Sequence, residues 1–256
     1  MRGGGSCPDR RRCPRRGPGS CPLPGAIHPD HRQVEEGTRR WARAAGLDSL
    51  PGHEALLGHR MGEPAARVLP GTRREAVRLL GDLALWLFPV DDDYEDGPLG
   101  VRPAGLADRL SRLLYAAEHP AATLLQRDPV AAAVRDLRRR TEALFGPHAG
   151  AAWPDSLRVC FLSLLWAYPG IEQYALMRLR SGAVDTFLPF LEHAHGIALA
   201  PAERHDPRLA ALKETAAFLI GWANALLSYR KESTRPGRRL DVVPSCAETG
   251  RASPMR

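Results

Sequence analysis

At 256 residues, 44% of them hydrophobic and only 6% aromatic, the chain can bury one sizeable core, and its Ala, Leu and Arg content favours helices over strands. The formal net charge is +7, but +5 of it sits in residues 1–24, so the body is nearly neutral and its basic pI gives no ground for a nucleic-acid partner. The longest apolar run, 83–90, is eight residues against the ~20 of a membrane span, and no apolar stretch follows the amino-terminal arginines as in a secretory signal. A soluble, cytoplasmic protein with no stable membrane anchor is expected.

Residues 1–24 hold five Gly, five Pro and six Arg and no aromatic, the composition of a disordered tail. Its cysteines, Cys7, Cys13 and Cys21, are six and eight apart, too far for the usual paired zinc ligands, and read as reduced thiols. Residues 25–256 read as one all-α domain. The first predicted helix covers 34–47. Thr72 is placed to cap the next, with Glu75 completing a capping box, and that helix runs through Leu79, Leu83 and Leu87 to Phe88. It is apolar nearly all round, as a central buried helix would be. Further helices are predicted at 103–117, 119–126, 129–145, 155–167, 170–180, 184–194 and 207–233. Gly and Pro punctuate between them, and no period-two alternation suggests a sheet.

The central helix ends in five acids within six residues, Asp91 to Asp96. They repel one another and meet the unfavourable end of the helix dipole. Asp91 and Glu95 share a helix face, with Asp92 at its edge and Phe88 three residues before. A hard cation that takes carboxylate oxygens would remove the penalty; a solvated acidic loop is the plain alternative. A second cluster, Asn224, Ser228 and Glu232, is spaced i, i+4, i+8 and lines one side of a helix with oxygen donors, drifting about 40° per step. Lys231 precedes the Glu and can reach an anion. Phe218, Leu219, Trp222, Leu226 and Leu227 are expected to bury another part of this helix. Without further context the pattern is also that of an ordinary amphipathic helix.

Together the clusters resemble the metal-binding signatures of bacterial class I terpene cyclases (terpene synthases). Phe88, Asp91-Asp92 and Glu95 resemble that family's aspartate-rich motif. Asn224, Ser228, Lys231 and Glu232 resemble its N-D-x-x-S-x-x-K-E motif. Arg178 lies 46 positions before Asn224, where the family carries a diphosphate-sensing Arg, in the context Tyr174, Arg178, Ser181-Gly182. His28-Pro29 and Trp41 match the family's usual start, and the resemblance covers about residues 26–250. It implies the class I helical bundle, several Mg²⁺ ions, and an isoprenoid diphosphate substrate, farnesyl diphosphate being the commonest; geranyl and geranylgeranyl diphosphate stay open. It also implies roles. Asp91, Asp92 and Glu95 would hold metal from one wall and Asn224, Ser228 and Glu232 from the other. Arg178 and Lys231 would bond the diphosphate. Ser181 and Gly182 would link the sensor to a helix break. Phe88, Phe187 and Trp222 would line a cation pocket, plain core packing being the alternative, favoured for Trp222. No nucleic acid is implied, and a homodimer is compatible.

The chain departs from the family in several places. Position 225 is Ala where Asp is usual, Ser181 stands where an acid or Thr is frequent, and the stretch 161–170 is short. After 241–243, which reads as the connection to a next helix, the sequence ends at Arg256, so the bundle is expected to lack its last helices. Two rival readings follow: a fragment of the same fold without turnover, and a helical protein whose basic tail binds nucleic acid or an acidic membrane.

Overall fold

A computed structural model describes residues 25–51, 53, 55–95, 103–123, 125–165 and 171–232. The expected disordered tail and the region after Glu232 lie outside these residues. Among the described residues there are ten α-helices and no strand. They are α1 (His31–Ala44), α2 (Gly62–Val68), α3 (Arg74–Glu95), α4 (Pro103–Glu118), α5 (Pro129–Phe145), α6 (Pro147–Leu164), α7 (Ile171–Ser181), α8 (Val184–Ala194), α9 (Pro201–Arg204) and α10 (Pro207–Glu232), with short 3₁₀ turns at Leu47–Ser49 and Leu56–His59. No described helix is long and apolar enough to cross a membrane.

The chain packs around α3. Its Val77, Leu79, Leu80, Leu83, Leu85, Trp86 and Val90 are all buried, so the central helix expected from its apolar content is found. It touches α1, α2, α5 and α8. α1 and α2 approach closely at Gly62, where an added Cβ would lie 2.5 Å from the Glu35 Cα; a side chain there would push the helices apart. Trp86 fixes α3 against the start of α5 by donating from Nε1 to the Val130 carbonyl at 2.9 Å. A fully buried carboxylate, Asp82, stands in the same helix between Arg78 and Arg140.

Some helix boundaries follow local chemistry. Asp128 caps α5 by accepting from the Ala131 N–H at 3.0 Å, and Pro129 starts the helix, where its missing N–H costs nothing. Others differ from expectation. Thr72 does not cap α3: its hydroxyl donates to the Leu69 carbonyl, and the helix begins at Arg74. The helix expected at 119–126 is absent from the described residues there, which form turns. Pro120 pushes His119 out of helical geometry, and Leu125 has φ +57°. α6 starts eight residues before expectation and runs through Pro154, because Ala149, Gly150 and Trp153 are buried ahead of the proline and hold that turn in place. Pro89 also sits inside α3, and the helix runs on through 91–95, as the shared helix face of Asp91 and Glu95 requires and the alternative of an acidic loop does not.

α10 is the largest correction. Phe218, Leu219 and Leu226, expected to be buried, are 43%, 63% and 62% exposed, and Leu212 and Ile220 beside them are exposed as well. Only the narrow side carrying Ala217, Gly221 and Ala225 is buried among the described residues of this helix. It lies against α7, α8 and α9. Near its start Lys213, together with Arg204 of α9, clasps Glu192 of α8, at 2.7 and 3.0 Å respectively. Burial alone would raise the Glu192 pKa, but the bonds from these two cations outweigh it and hold the carboxyl below its ordinary value.

Candidate functional site

Three helix segments carry the residues singled out in the sequence. The last turn of α3 carries Asp91, Asp92 and Glu95; the carboxyl end of α7 carries Arg178 and Ser181; α10 carries Asn224, Ser228, Lys231 and Glu232. α8, bearing Phe187, touches all three helices. The side chains of Asp91, Asp92, Glu95, Ser228, Lys231 and Glu232 lie outside the described set, so the helical backbone alone places them. That backbone keeps Asp91 and Glu95 one turn apart, and Asn224, Ser228 and Glu232 at successive turns.

Arg178 and Asn224, 46 residues apart in sequence, meet. The Arg178 Nη2 donates to Asn224 Oδ1 across the α7–α10 contact. Gly221, one turn before Asn224, is buried beneath the Arg178 side chain. The Arg178 Nε is buried and has no hydrogen-bond partner among the described residues. A buried donor left unpaired costs about 1–3 kcal/mol, so this group is poised for an acceptor.

The helix break expected at Gly182 is present but shifted by one residue. α7 ends at Ser181, the Gly182 N–H still bonds the Arg178 carbonyl at 3.2 Å, and the left-handed residue is Ala183, with φ +58°. Arg180 and Asp185 bridge the break at 2.7 Å. An L side chain at that φ is strained, and glycine is not. Ala183→Gly is therefore expected to stabilise the fold by about 0.5–1 kcal/mol, read as a rise in urea midpoint with unchanged slope. An unchanged or lower midpoint would mean that the break gains nothing from relief at Ala183.

The aromatic candidates divide. Phe88 and Phe187 are half-buried and pack against the core. The His59 imidazole stacks on Phe88 at 3.9 Å and 14°, so that ring face is already taken. Trp222 lies on Phe218 at 5.1 Å, and its Nε1 is buried without a partner among the described residues. Among the described residues no three His, Cys, Asp or Glu side chains group closely enough to hold a metal, and the carboxylates of both clusters are not among them. An open groove of about 530 Å³ on α1 and α2, lined by residues such as Glu35, Arg39, Arg60 and Glu63, contains no residue of either cluster.

The donor set of the two clusters is all oxygen: carboxylates, a hydroxyl and an amide carbonyl. Such a set fits a hard divalent cation and not a soft one. Gly221 belongs to neither motif, and only the structure brings it to the site. A glycine in a helix interior, three residues before a candidate ligand, is the signal the sequence offers for it.

Comparison with known proteins places the chain in a family. The sequence model described as terpene synthase family 2, C-terminal metal binding, matches residues 82–253. The chain is 30% identical over 244 residues to (+)-T-muurolol synthase ((2E,6E)-farnesyl diphosphate cyclizing) of Streptomyces clavuligerus, covering 91% of this chain and 58% of that protein. It is 33% identical over 226 residues to (+)-(1(10)E,4E,6S,7R)-germacradien-6-ol synthase of Streptomyces pratensis, covering 84% and 63%. It thus spans about three fifths of the length of these relatives. The crystal structure of germacradien-4-ol synthase from Streptomyces citricolor shares the all-helical fold, with TM-score 0.77 over 91% of this chain and 76% of that one, at 21% identity. The chain belongs to the terpene synthase family, and the matched region is that family's carboxyl-terminal metal-binding domain.

Proposed function

We propose that this chain is a magnesium-dependent terpene cyclase that ionises an isoprenoid diphosphate, farnesyl diphosphate for preference, and cyclises the resulting carbocation. The observation that carries the reading is the Arg178–Asn224 pair: two residues that belong to separate sequence signals share one hydrogen bond. The unpartnered Arg178 Nε beside it offers a second donor to an anion. The muurolol synthase relative, named for cyclising farnesyl diphosphate, supports the substrate.

In this reading Arg178 and Lys231 bond the diphosphate oxygens and orient the scissile carbon–oxygen bond toward the apolar interior. Asp91, Asp92 and Glu95 would hold Mg²⁺ at the α3 wall, and Asn224, Ser228 and Glu232 at the α10 wall. Metal held by these residues would supply positive charge against that developing on the leaving diphosphate. Phe187 and Phe88 would border the allylic cation, where ring electrons attract it and apolar walls keep water away.

A second reading, the same fold without turnover, is favoured by two observations. Ala225 is buried where the family usually carries Asp, so a support for the neighbouring ligand is missing. Phe218, Leu219, Ile220 and Leu226 of α10 are exposed to solvent, and a wall left open there would admit water toward a cation. One experiment separates the readings. The protein is incubated with Mg²⁺ and, in turn, geranyl, farnesyl and geranylgeranyl diphosphate, and the extract is analysed by gas chromatography with mass detection. A cyclic product from farnesyl diphosphate that disappears with EDTA is expected. No product from any of the three, from protein folded by circular dichroism, would sink the cyclase reading in favour of the inactive one.

A further inference from the structure

Resting on the reading of Arg178 as a diphosphate ligand, we propose that Gly221 is a positioning residue that seats the Arg178 side chain against α10 and so aims its guanidinium. Gly221 is buried on the α7 side of α10, three residues before Asn224. A Cβ built there would lie 3.1 Å from Arg178 Cγ, 3.5 Å from its carbonyl oxygen and 3.9 Å from its Cδ; apart from its chain neighbours and the local backbone of its own helix, its three nearest atoms all belong to Arg178. The first distance is tighter than ordinary van der Waals contact, and the Arg178 stem would have to move by a few tenths of an ångström.

Gly221 does not have the left-handed φ that would explain a glycine. A glycine in a helix interior costs about 1 kcal/mol relative to Ala, and the close approach of Arg178 gives a physical reason for one here. Arg178 Cγ lies at the root of the side chain, and a small shift there grows along the stem. The end of that stem carries both the Nη2 that meets Asn224 and the buried, unpartnered Nε. Misplacement of a binding group by about 1 Å can cost up to about 100-fold.

The test is a binding titration of inorganic diphosphate in the presence of MgCl₂, by calorimetry up to millimolar ligand, with thermal unfolding followed in parallel. Gly221→Ala is expected to weaken diphosphate binding about tenfold without lowering Tm, since Ala is the better helix former. In an Arg178→Ala chain, where no stem remains to collide with, the same change is expected to cost less than twofold further. Unaltered affinity in Gly221→Ala would overturn the proposal. So would a loss of affinity accompanied by a lowered Tm, or a full tenfold further loss in the Arg178→Ala background, because either marks a general packing defect. A wild-type chain that binds no diphosphate would sink the proposed function and this inference with it; a wild type that binds, with additive variants, would sink the inference alone.

Discussion

Asp92→Ala is expected to lower the release of inorganic diphosphate from farnesyl diphosphate by more than about 100-fold, and Asn224→Ala to do the same from the opposite wall. Removing one group that stabilises charge developing in a transition state typically costs about 100- to 1,000-fold. Neither loss should come from unfolding. Asp92 sits in the last turn of α3, among five acids within six residues and at the unfavourable end of the helix dipole. Removing one of those charges relieves repulsion, worth about 0.3–1 kcal/mol in the stabilising direction. Asn224 is exposed, so its truncation opens no core cavity. The expected signature is therefore a protein as stable as the wild type, or slightly more so, with no turnover. Coupled detection of released diphosphate, with thermal unfolding alongside, reads both. Turnover within about tenfold of wild type in either variant would remove that residue from the proposed metal site.

The same two residues mark how much of the site is legible in the amino-acid sequence. The spacing of Asp91, Asp92 and Glu95, and of Asn224, Ser228 and Glu232, follows from helix geometry and needs only the chain itself. Helix bounds are legible where local chemistry fixes them: α5 falls at the residues expected, between the Asp128 cap and Gly146, and α8 does as well. They are not legible where tertiary packing overrides a local signal. The helix expected from 155 starts eight residues earlier, because the burial of Trp153 and Gly150 carries it through Pro154. α10 departs from expectation for another reason. Its apolar residues run all round the helix, so no period distinguishes a buried side, and the side that packs is the one with the smallest residues, Ala217, Gly221 and Ala225. Which α7 residue those glycine and alanine positions admit is a property of two helices together, and one sequence does not state it.

Asp82→Ala is expected to destabilise the fold by about 3 kcal/mol. The Asp82 carboxylate is fully buried and accepts from Arg78 Nε at 2.9 Å on its own helix and from Arg140 Nη2 at 2.7 Å on α5. Burial pushes its pKa up, against the pull of Arg140 and Arg78. Arg140 answers in kind: burial lowers its pKa, but Asp82 and then Asp136 more than offset that and hold it charged. Asp136 in turn accepts from Trp41 Nε1 at 2.9 Å, so one network joins α1, α3 and α5. α1 itself makes room, since a Cβ on Gly37 would stand 2.0 Å from an Arg78 nitrogen. Truncating the central anion leaves two guanidiniums without their shared partner. Removal of one member of a buried pair costs about 3–5 kcal/mol, and the lower end applies here because Arg78 and Arg140 keep 28% and 31% of their side-chain surface in water. For a chain of this size about 3 kcal/mol corresponds to roughly 6–12 °C in Tm. Asp82→Asn keeps an acceptor oxygen in place and is expected to lose about half as much. Thermal unfolding of the two variants checks both values. A Tm for Asp82→Ala within about 2 °C of wild type would mean that the arginines reach water at no cost, and that burial of Asp82 contributes nothing to holding the three helices together.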